Sequence, residues 1–349
     1  MQVLFNTPLG PFTSFNCGGN ADTLIICENS QEHIDTLLKV NGQLWNLGFG
    51  TNSLISDDGL PGSVVMTRGG SMAIEGDNII VDSGAWWDDV VLYSIKNNLW
   101  GLELMSGIPS SIGGAIAGNI AAYGQQIKDC LQNLEIFNVK SKESYTLPAS
   151  KIDFGYRESS LQQQPHLVIT KAVFKLSKDE TTKLQYDSAL KVAEELKVTP
   201  DSLLNRRKII LETRRRAGSL YNPDDINKEH TAGSFFKNPV TDVETAKKIA
   251  TFDETGKSLE RILNQNLIHS GDSTRVSAAH VLLAAGFKRG QRWGKVRLHP
   301  EHVLKIENTG DATALDIYKV AQEIINTVEK KLHITLEPEV NLLGNFHQT

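Results

Sequence analysis

Five glycines fall between Ser106 and Gly124, in Ser106-Gly107-Ile108-Pro109-Ser110-Ser111-Ile112-Gly113-Gly114-Ala115 and then Gly118-Asn119 and Ala121-Ala122-Tyr123-Gly124. A stretch so poor in side-chain bulk adds little to a core. It belongs where the backbone turns sharply or comes close to another group. A second such stretch, Gly48-Phe49-Gly50-Thr51-Asn52-Ser53, follows the strand-like residues Leu44 to Leu47. In both, backbone N–H groups can line a nest for phosphate oxygens, and the hydroxyls of Thr51, Ser53, Ser110 and Ser111 can add hydrogen bonds. Taken alone, each block is equally a plain turn. Neither has the common nucleotide-binding spacings. No third glycine follows Gly48-x-Gly50 where a dinucleotide fingerprint needs it, and no Gly-Lys-Ser/Thr follows either block.

The chain has 349 residues, enough for two or three packed units, with 40% hydrophobic and 22% charged residues. A net charge of −5 argues against nucleic-acid or anionic-membrane partners. Cys17, Cys27 and Cys130 form no metal-ligand pattern and suit a reducing compartment. No apolar run approaches the ~20 residues that span a bilayer, and no leader pattern opens the chain. The expectation is a cytoplasmic protein.

Local patterns predict strands at Thr23 to Ile26, Leu44 to Leu47, Val64 to Thr67, Asn78 to Asp82, Leu134 to Val139, Ser144 to Leu147 and Leu167 to Leu176. They predict helices at 31–38 with Ser30 as N-cap, then at 86–97, 189–196 and 202–216. A polar run, Ala217-Gly218-Ser219 and Tyr221-Asn222-Pro223-Asp224-Asp225, reads as a domain boundary. Beyond it, helices are expected at 242–250, 277–285 and 312–332, with strands at 303–306, 334–336 and 340–343. The class is α+β.

Several blocks, in order, resemble the UDP-N-acetylenolpyruvoylglucosamine reductases. They are Phe12-Thr13-Ser14-Phe15-Asn16 with Gly18-Gly19-Asn20-Ala21-Asp22, the Leu47 to Gly59 turn, Gly101-Leu102-Glu103-Leu104-Met105-Ser106-Gly107-Ile108-Pro109, Tyr156-Arg157-Glu158-Ser159, Ala232-Gly233-Ser234-Phe235-Phe236-Lys237-Asn238-Pro239 and Leu336-Glu337-Pro338-Glu339-Val340. Together they reach along nearly the whole chain. The resemblance implies a two-part FAD-binding domain of the vanillyl-alcohol-oxidase type plus a C-terminal α+β substrate-binding domain. It places the first at 1–216 (subdomains 1–67 and 68–216, completed by 334–349) and the UDP-sugar domain at 226–331. His33, the one histidine in the first 165 residues, lies outside both glycine blocks on an expected surface helix, so the FAD is expected to be non-covalent.

The implied reaction is NADPH-dependent, FAD-mediated reduction of UDP-N-acetylglucosamine enolpyruvate to UDP-N-acetylmuramate for peptidoglycan synthesis. Hydride addition at the methylene carbon leaves negative charge on its neighbour and, by conjugation, on the carboxylate. That charge calls for a cation or acid at the carboxylate and a proton donor at the carbon. The resemblance assigns the proton to Ser234 and the stabilisation to Arg157 and Glu339. Each has a plainer reading: Arg157 as a surface ion pair with Glu158, Ser234 as a turn residue, Glu339 as an edge charge. An apolar strand around Glu339 predicts a raised pKa there, with Glu337 on the opposite side.

Cofactor contacts are expected from Gly48, Phe49, Gly50, Thr51, Asn52, Ser53, Ser106, Gly107, Ile108, Pro109, Ser110, Ser111, Gly113, Gly114, Asn119, Tyr123 and Gly124. Substrate contacts are expected from Tyr186 on a mobile loop and from Lys237, Asn238 and His302. Four positions depart from the family pattern. Phe49 stands for a glycine and must point away from the pyrophosphate. Asn20 stands for a proline and Asn341 for an arginine. Ala217 stands for a lysine whose charge Arg214, Arg215 or Arg216 could supply. The chain is expected to be a monomer. The same fold on another substrate, or a non-catalytic flavin or nucleotide-sugar binder, remains the alternative.

Overall fold

The computed structural model describes residues 1–221, 229–253, 258 and 273–346, so most of the expected boundary turn at 221–225 lies outside the described residues. The chain forms two compact units. The first comprises Met1–Thr7, Ala21–Thr51 and Leu60–Lys228; the second comprises Pro8–Asn20, Asn52–Gly59 and Glu229–Thr349.

In the first unit, a four-stranded sheet runs in the order Gln2–Pro8, Asn20–Cys27, Leu60–Thr67, Leu44–Leu47. Asn20–Cys27 and Leu44–Leu47 both run parallel to Leu60–Thr67, which demands crossovers, and the helix Ser30–Lys39 supplies one. Its N-cap is Asn29, whose side chain accepts from Glu32 N, not the expected Ser30. Ser30 instead donates to the Thr170 carbonyl. His33 lies on the buried face of this helix, only 2% exposed, where a surface position was expected.

A second, antiparallel sheet orders Glu143–Pro148, Leu131–Asn138, Leu167–Lys175, Asn78–Asp82 and Met72–Glu75. The helix Trp87–Lys96 buries Trp87, Val90, Val91, Ser94 and Ile95, the stripe that its 3.6-residue spacing dictates. The helix Leu203–Arg216 is capped by Ser202 accepting from Asn205 N at 3.3 Å.

In the second unit, the 19-residue helix Ala314–Leu332 buries Ile317, Val320, Ala321, Ile324 and Val328. Its first turn is satisfied three ways. Thr313 and Asp316 form a capping box, and the Asp57 carboxylate accepts from Ala314 N at 2.9 Å and Leu315 N at 2.8 Å. Asp57 follows the strand Ser53–Ile55, which pairs in parallel with Asn341–Leu343. These long-range ties explain why 52–59 belongs to this unit. A three-stranded antiparallel sheet joins Arg292–Trp293, Val296–Leu298 and Ile306–Asn308. The last of these starts at Ile306, beyond the expected 303–306, because Val303 and Leu304 lie in a turn. No ladder forms at 334–336; Pro338 makes only an isolated bridge to Phe236.

Candidate functional site

The first unit holds Gly48 to Thr51 of the shorter glycine block, the whole longer block, Arg157 and Tyr186, while Asn52, Ser53, Ser234, Lys237, Asn238, His302 and Glu339 belong to the second.

The glycine blocks meet where Thr51 Oγ1 donates to the Pro109 carbonyl at 2.6 Å. Gly50 is left-handed (φ 68°), and the N–H groups of Phe49 and Gly50 bond to none of the described residues. Two successive N–H groups around a left-handed glycine make a nest that suits a phosphate. The Phe49 ring is taken up elsewhere, edge-on to Trp86 at 4.9 Å and under the Arg68 guanidinium at 5.2 Å.

The longer block is less open than its composition suggests. Gly107 N donates to Asp88 Oδ1 at 2.7 Å, Gly113 N to the Ser83 carbonyl at 2.9 Å, and Gly114 N to Ser111 Oγ at 3.1 Å. Ser106 Oγ, wholly buried, donates to the Glu103 carbonyl at 2.6 Å. A short helix, Ile112–Ala117, forms where only glycine-rich turn was expected, capped by Ser111. Asp88 is itself held by both Nη atoms of Arg207, at 2.7 and 2.6 Å. Burial alone raises the Asp88 pKa, but Arg207 and the Gly107 N–H overcome it and hold the carboxyl below its ordinary value.

Three non-glycine residues, Asn119 (φ 41°), Tyr123 (φ 49°) and Arg157 (φ 60°), adopt left-handed backbone conformations here. Such conformations are disfavoured for residues with a Cβ and concentrate at functional sites. They are linked: Arg157 Nη1 donates to the Ala121 carbonyl at 3.0 Å, and Asn119 Nδ2 to the Gly155 carbonyl at 2.8 Å. Arg157 occupies the two-residue turn between Phe154–Gly155 and Glu158–Ser159. The 48%-exposed Tyr186 stands edge-on to Tyr123 at 5.5 Å and directly precedes the helix Asp187–Leu196.

Arg214 separates from its two neighbours in sequence. Arg215 and Arg216 bond Glu212 on the surface, whereas Arg214 turns inward and donates one Nη to the Ser219 carbonyl at 2.9 Å. Its Nε is buried and bonds to none of the described residues. Burial lowers its pKa, and the nearby Arg157 charge lowers it further. The buried Asn119 Oδ1 likewise has no partner among the described residues. Buried polar atoms left this way are costly. With the nest at Phe49 and Gly50, they fit a polar, anionic cofactor of the expected kind.

In the second unit, Ser234 and Glu339 lie on adjacent backbone segments, because Glu339 N donates to the Phe235 carbonyl at 2.8 Å. Asn52 Nδ2 donates to the Glu339 carbonyl at 3.0 Å, fixing that segment from the other side. Asn341, the arginine departure, donates its N–H to the Asn52 carbonyl at 3.0 Å. Lys237 Nζ is 3.6 Å from Glu337 Oε2, and Asn238 Oδ1 accepts from Ala278 N at 2.9 Å. His302 is driven to a pKa of about 4, by burial first and then by the Lys305 charge, so it is neutral at pH 7.

Comparison with known proteins adds the family context. Residues 22–142 match the model of an FAD binding domain, and residues 224–343 match that of the UDP-N-acetylenolpyruvoylglucosamine reductase C-terminal domain. The chain is 28% identical to a Mycobacterium marinum protein of that reductase name, with 98% of this chain and 96% of the relative aligned. A Streptomyces avermitilis protein of the same name is 29% identical, with 99% and 96% aligned. Among solved structures, UDP-N-acetylenolpyruvylglucosamine reductase from Thermus caldophilus superposes with a TM-score of 0.66 over 98% of each chain, at 23% identity.

Proposed function

We propose that the chain is a member of the UDP-N-acetylenolpyruvoylglucosamine reductase family, whose C-terminal model and relatives it matches, and that it reduces UDP-N-acetylglucosamine enolpyruvate to UDP-N-acetylmuramate, with NADPH as electron source. This is a cytoplasmic, monomeric enzyme of peptidoglycan precursor synthesis. The observation that carries the reading is the backbone contact that sets Ser234 beside Glu339 in a chain that also presents Arg157 on a strained turn. A binding module needs no such set.

Bound non-covalently, FAD would supply the hydride transfer between NADPH and the enolpyruvyl methylene carbon. The Phe49–Gly50 nest, Thr51, Ser110, Ser111, Asn119, Tyr123 and Arg214 would hold it. Arg157, permanently charged, binds the carboxylate on which negative charge develops. Glu339 stabilises the same charge as a hydrogen-bond donor. Ser234 gives its hydroxyl proton to the adjacent carbon: its O–H bond breaks as the new C–H bond forms, and solvent returns the proton. Tyr186, Lys237, Asn238 and His302 bind the sugar nucleotide. A neutral His302 donates one hydrogen bond without adding charge.

Ser234→Ala tests the assignment. Flavin reduction by NADPH stays at the wild-type rate, and reoxidation by the enolpyruvyl substrate slows by about 100-fold or more. An unchanged reoxidation rate removes Ser234 from the chemistry.

A further inference from the structure

Serine is a poor acid, and a donor serine needs something to stabilise the oxygen it leaves behind. The second unit holds a buried cation next to Ser234. Lys305 is 2% exposed, an unusual position for an ammonium group. It faces Ser234 across an isolated antiparallel bridge, flanked by Phe235 N donating to the Leu304 carbonyl at 2.9 Å. Residues paired this way send their side chains to the same face, with Cβ atoms about 5 Å apart. Among the described residues, nothing hydrogen-bonds the Ser234 hydroxyl.

A carboxylate answers the buried side chain. Lys305 Nζ bonds one oxygen of Glu229, and His299 Nε2 lies 2.6 Å from the other. On the neighbouring sheet, Arg297 and Glu307 neutralise each other in a two-pronged pair at 2.6 and 3.0 Å, and Arg292 is exposed on the strand farthest from Ile306–Asn308. His302 is neutral. Lys305 is therefore the cation that Ser234 meets on its own face, and Glu229 fixes its place.

We propose that Lys305, held by Glu229 and His299, is a positioning residue that polarises the Ser234 hydroxyl, stabilising its oxygen as the proton leaves. This rests on the reading of Ser234 as the proton donor. No further reactant is needed: the ammonium keeps its protons and acts through its field.

The direct test replaces the hydroxyl with a group whose acidity can be read. In Ser234→Cys, alkylation by iodoacetamide as a function of pH reports the introduced thiol. The natural cysteines are buried and will not compete; Cys17, for one, is pushed by burial to about 12. The introduced thiol titrates about one pH unit or more lower with Lys305 present than in Ser234→Cys/Lys305→Met. Equal titration in the two backgrounds overturns the proposal. Should the methionine variant not fold, Lys305→Gln carries the same comparison. In the FAD-loaded enzyme, Lys305→Met slows flavin reoxidation by the enolpyruvyl substrate about tenfold or more, leaves flavin reduction by NADPH unchanged, and is rescued by Lys305→Arg. A wild-type reoxidation rate in Lys305→Met also overturns it. Full reoxidation in Ser234→Ala sinks the donor reading instead, so the two failures are distinct.

Discussion

Asp88 accepts the backbone N–H of Gly107 at 2.7 Å, so a carboxylate, not a ligand, claims the N–H of the first glycine in the longer block. Arg207 binds the same carboxylate with both Nη atoms, which ties this loop to two helices, Trp87–Lys96 and Leu203–Arg216. The glycine at 107 is needed for its left-handed backbone (φ 74°), and the rigidity comes from Asp88.

Asp88→Ala strands Arg207 in a mostly buried position and frees Gly107. Unfolding stability falls by about 2–3 kcal/mol, read from denaturant midpoints, and FAD affinity falls with it. The Asp88 pKa is held below its unfolded value, so its contribution is present at neutral pH and is lost as pH drops below about 4. The deficit of the variant relative to wild type therefore narrows as pH falls below the unfolded carboxyl value. A deficit that does not narrow in acid contradicts this account.

His33 provides a second pH dependence. Burial lowers its pKa to about 4, against a hydrogen bond from its ring to Asn46 Oδ1 at 2.9 Å. A histidine whose folded pKa is depressed contributes stability that is complete above its unfolded pKa, about 6.5, and is lost as pH falls toward 4. The loss amounts to about 3 kcal/mol over that range. His33→Gln flattens this slope in urea unfolding between pH 7 and 4; an unchanged slope assigns the effect elsewhere.

Arg214→Met separates cofactor binding from folding. Removing a buried guanidinium that makes no ion pair with the described residues changes the apoprotein by no more than about 1 kcal/mol. FAD affinity, followed by flavin fluorescence quenching, drops about tenfold or more. Unchanged affinity removes Arg214 from the cofactor site.

Much of this was legible in the sequence wherever local pattern and tertiary packing agree. The apolar run in Asn78–Asp82 and the apolar stripe of Trp87–Lys96 are examples, since the run forms the expected strand and the helix buries the face that its spacing marks. The helix Ile112–Ala117 was not legible, because two glycines in six residues argue against helix and the Ser111 cap decides the matter. Ile334 to Leu336 reads as strand from its composition, yet Ile334 and Leu336 are buried with no ladder partner. The assignment of 52–59 to the second unit depends on Asp57 capping a helix more than 250 residues away, which no local pattern encodes.

The candidate site was legible differently. Arg157, Ser234 and Glu339 stood out only as parts of ordered motifs, since each alone has a plainer reading. Arg214 could have been told from Arg215 and Arg216 by helical phase. It continues the i, i+4 line of the buried Arg206 and Ile210, which points inward. Lys305 carried no signal: its burial depends on Glu229, far away in sequence, and on pairing with Ser234.

The central claim is that this chain passes hydride from NADPH through FAD to an enolpyruvyl sugar nucleotide. The most direct measurement follows the visible spectrum of the FAD-loaded protein without oxygen, first on adding NADPH and then on adding UDP-N-acetylglucosamine enolpyruvate. Bleaching by NADPH, followed by rapid return of the oxidised spectrum with one UDP-N-acetylmuramate formed per flavin, is the result expected. A protein that cannot be loaded with FAD, or whose reduced flavin stays bleached in the presence of the substrate, contradicts it.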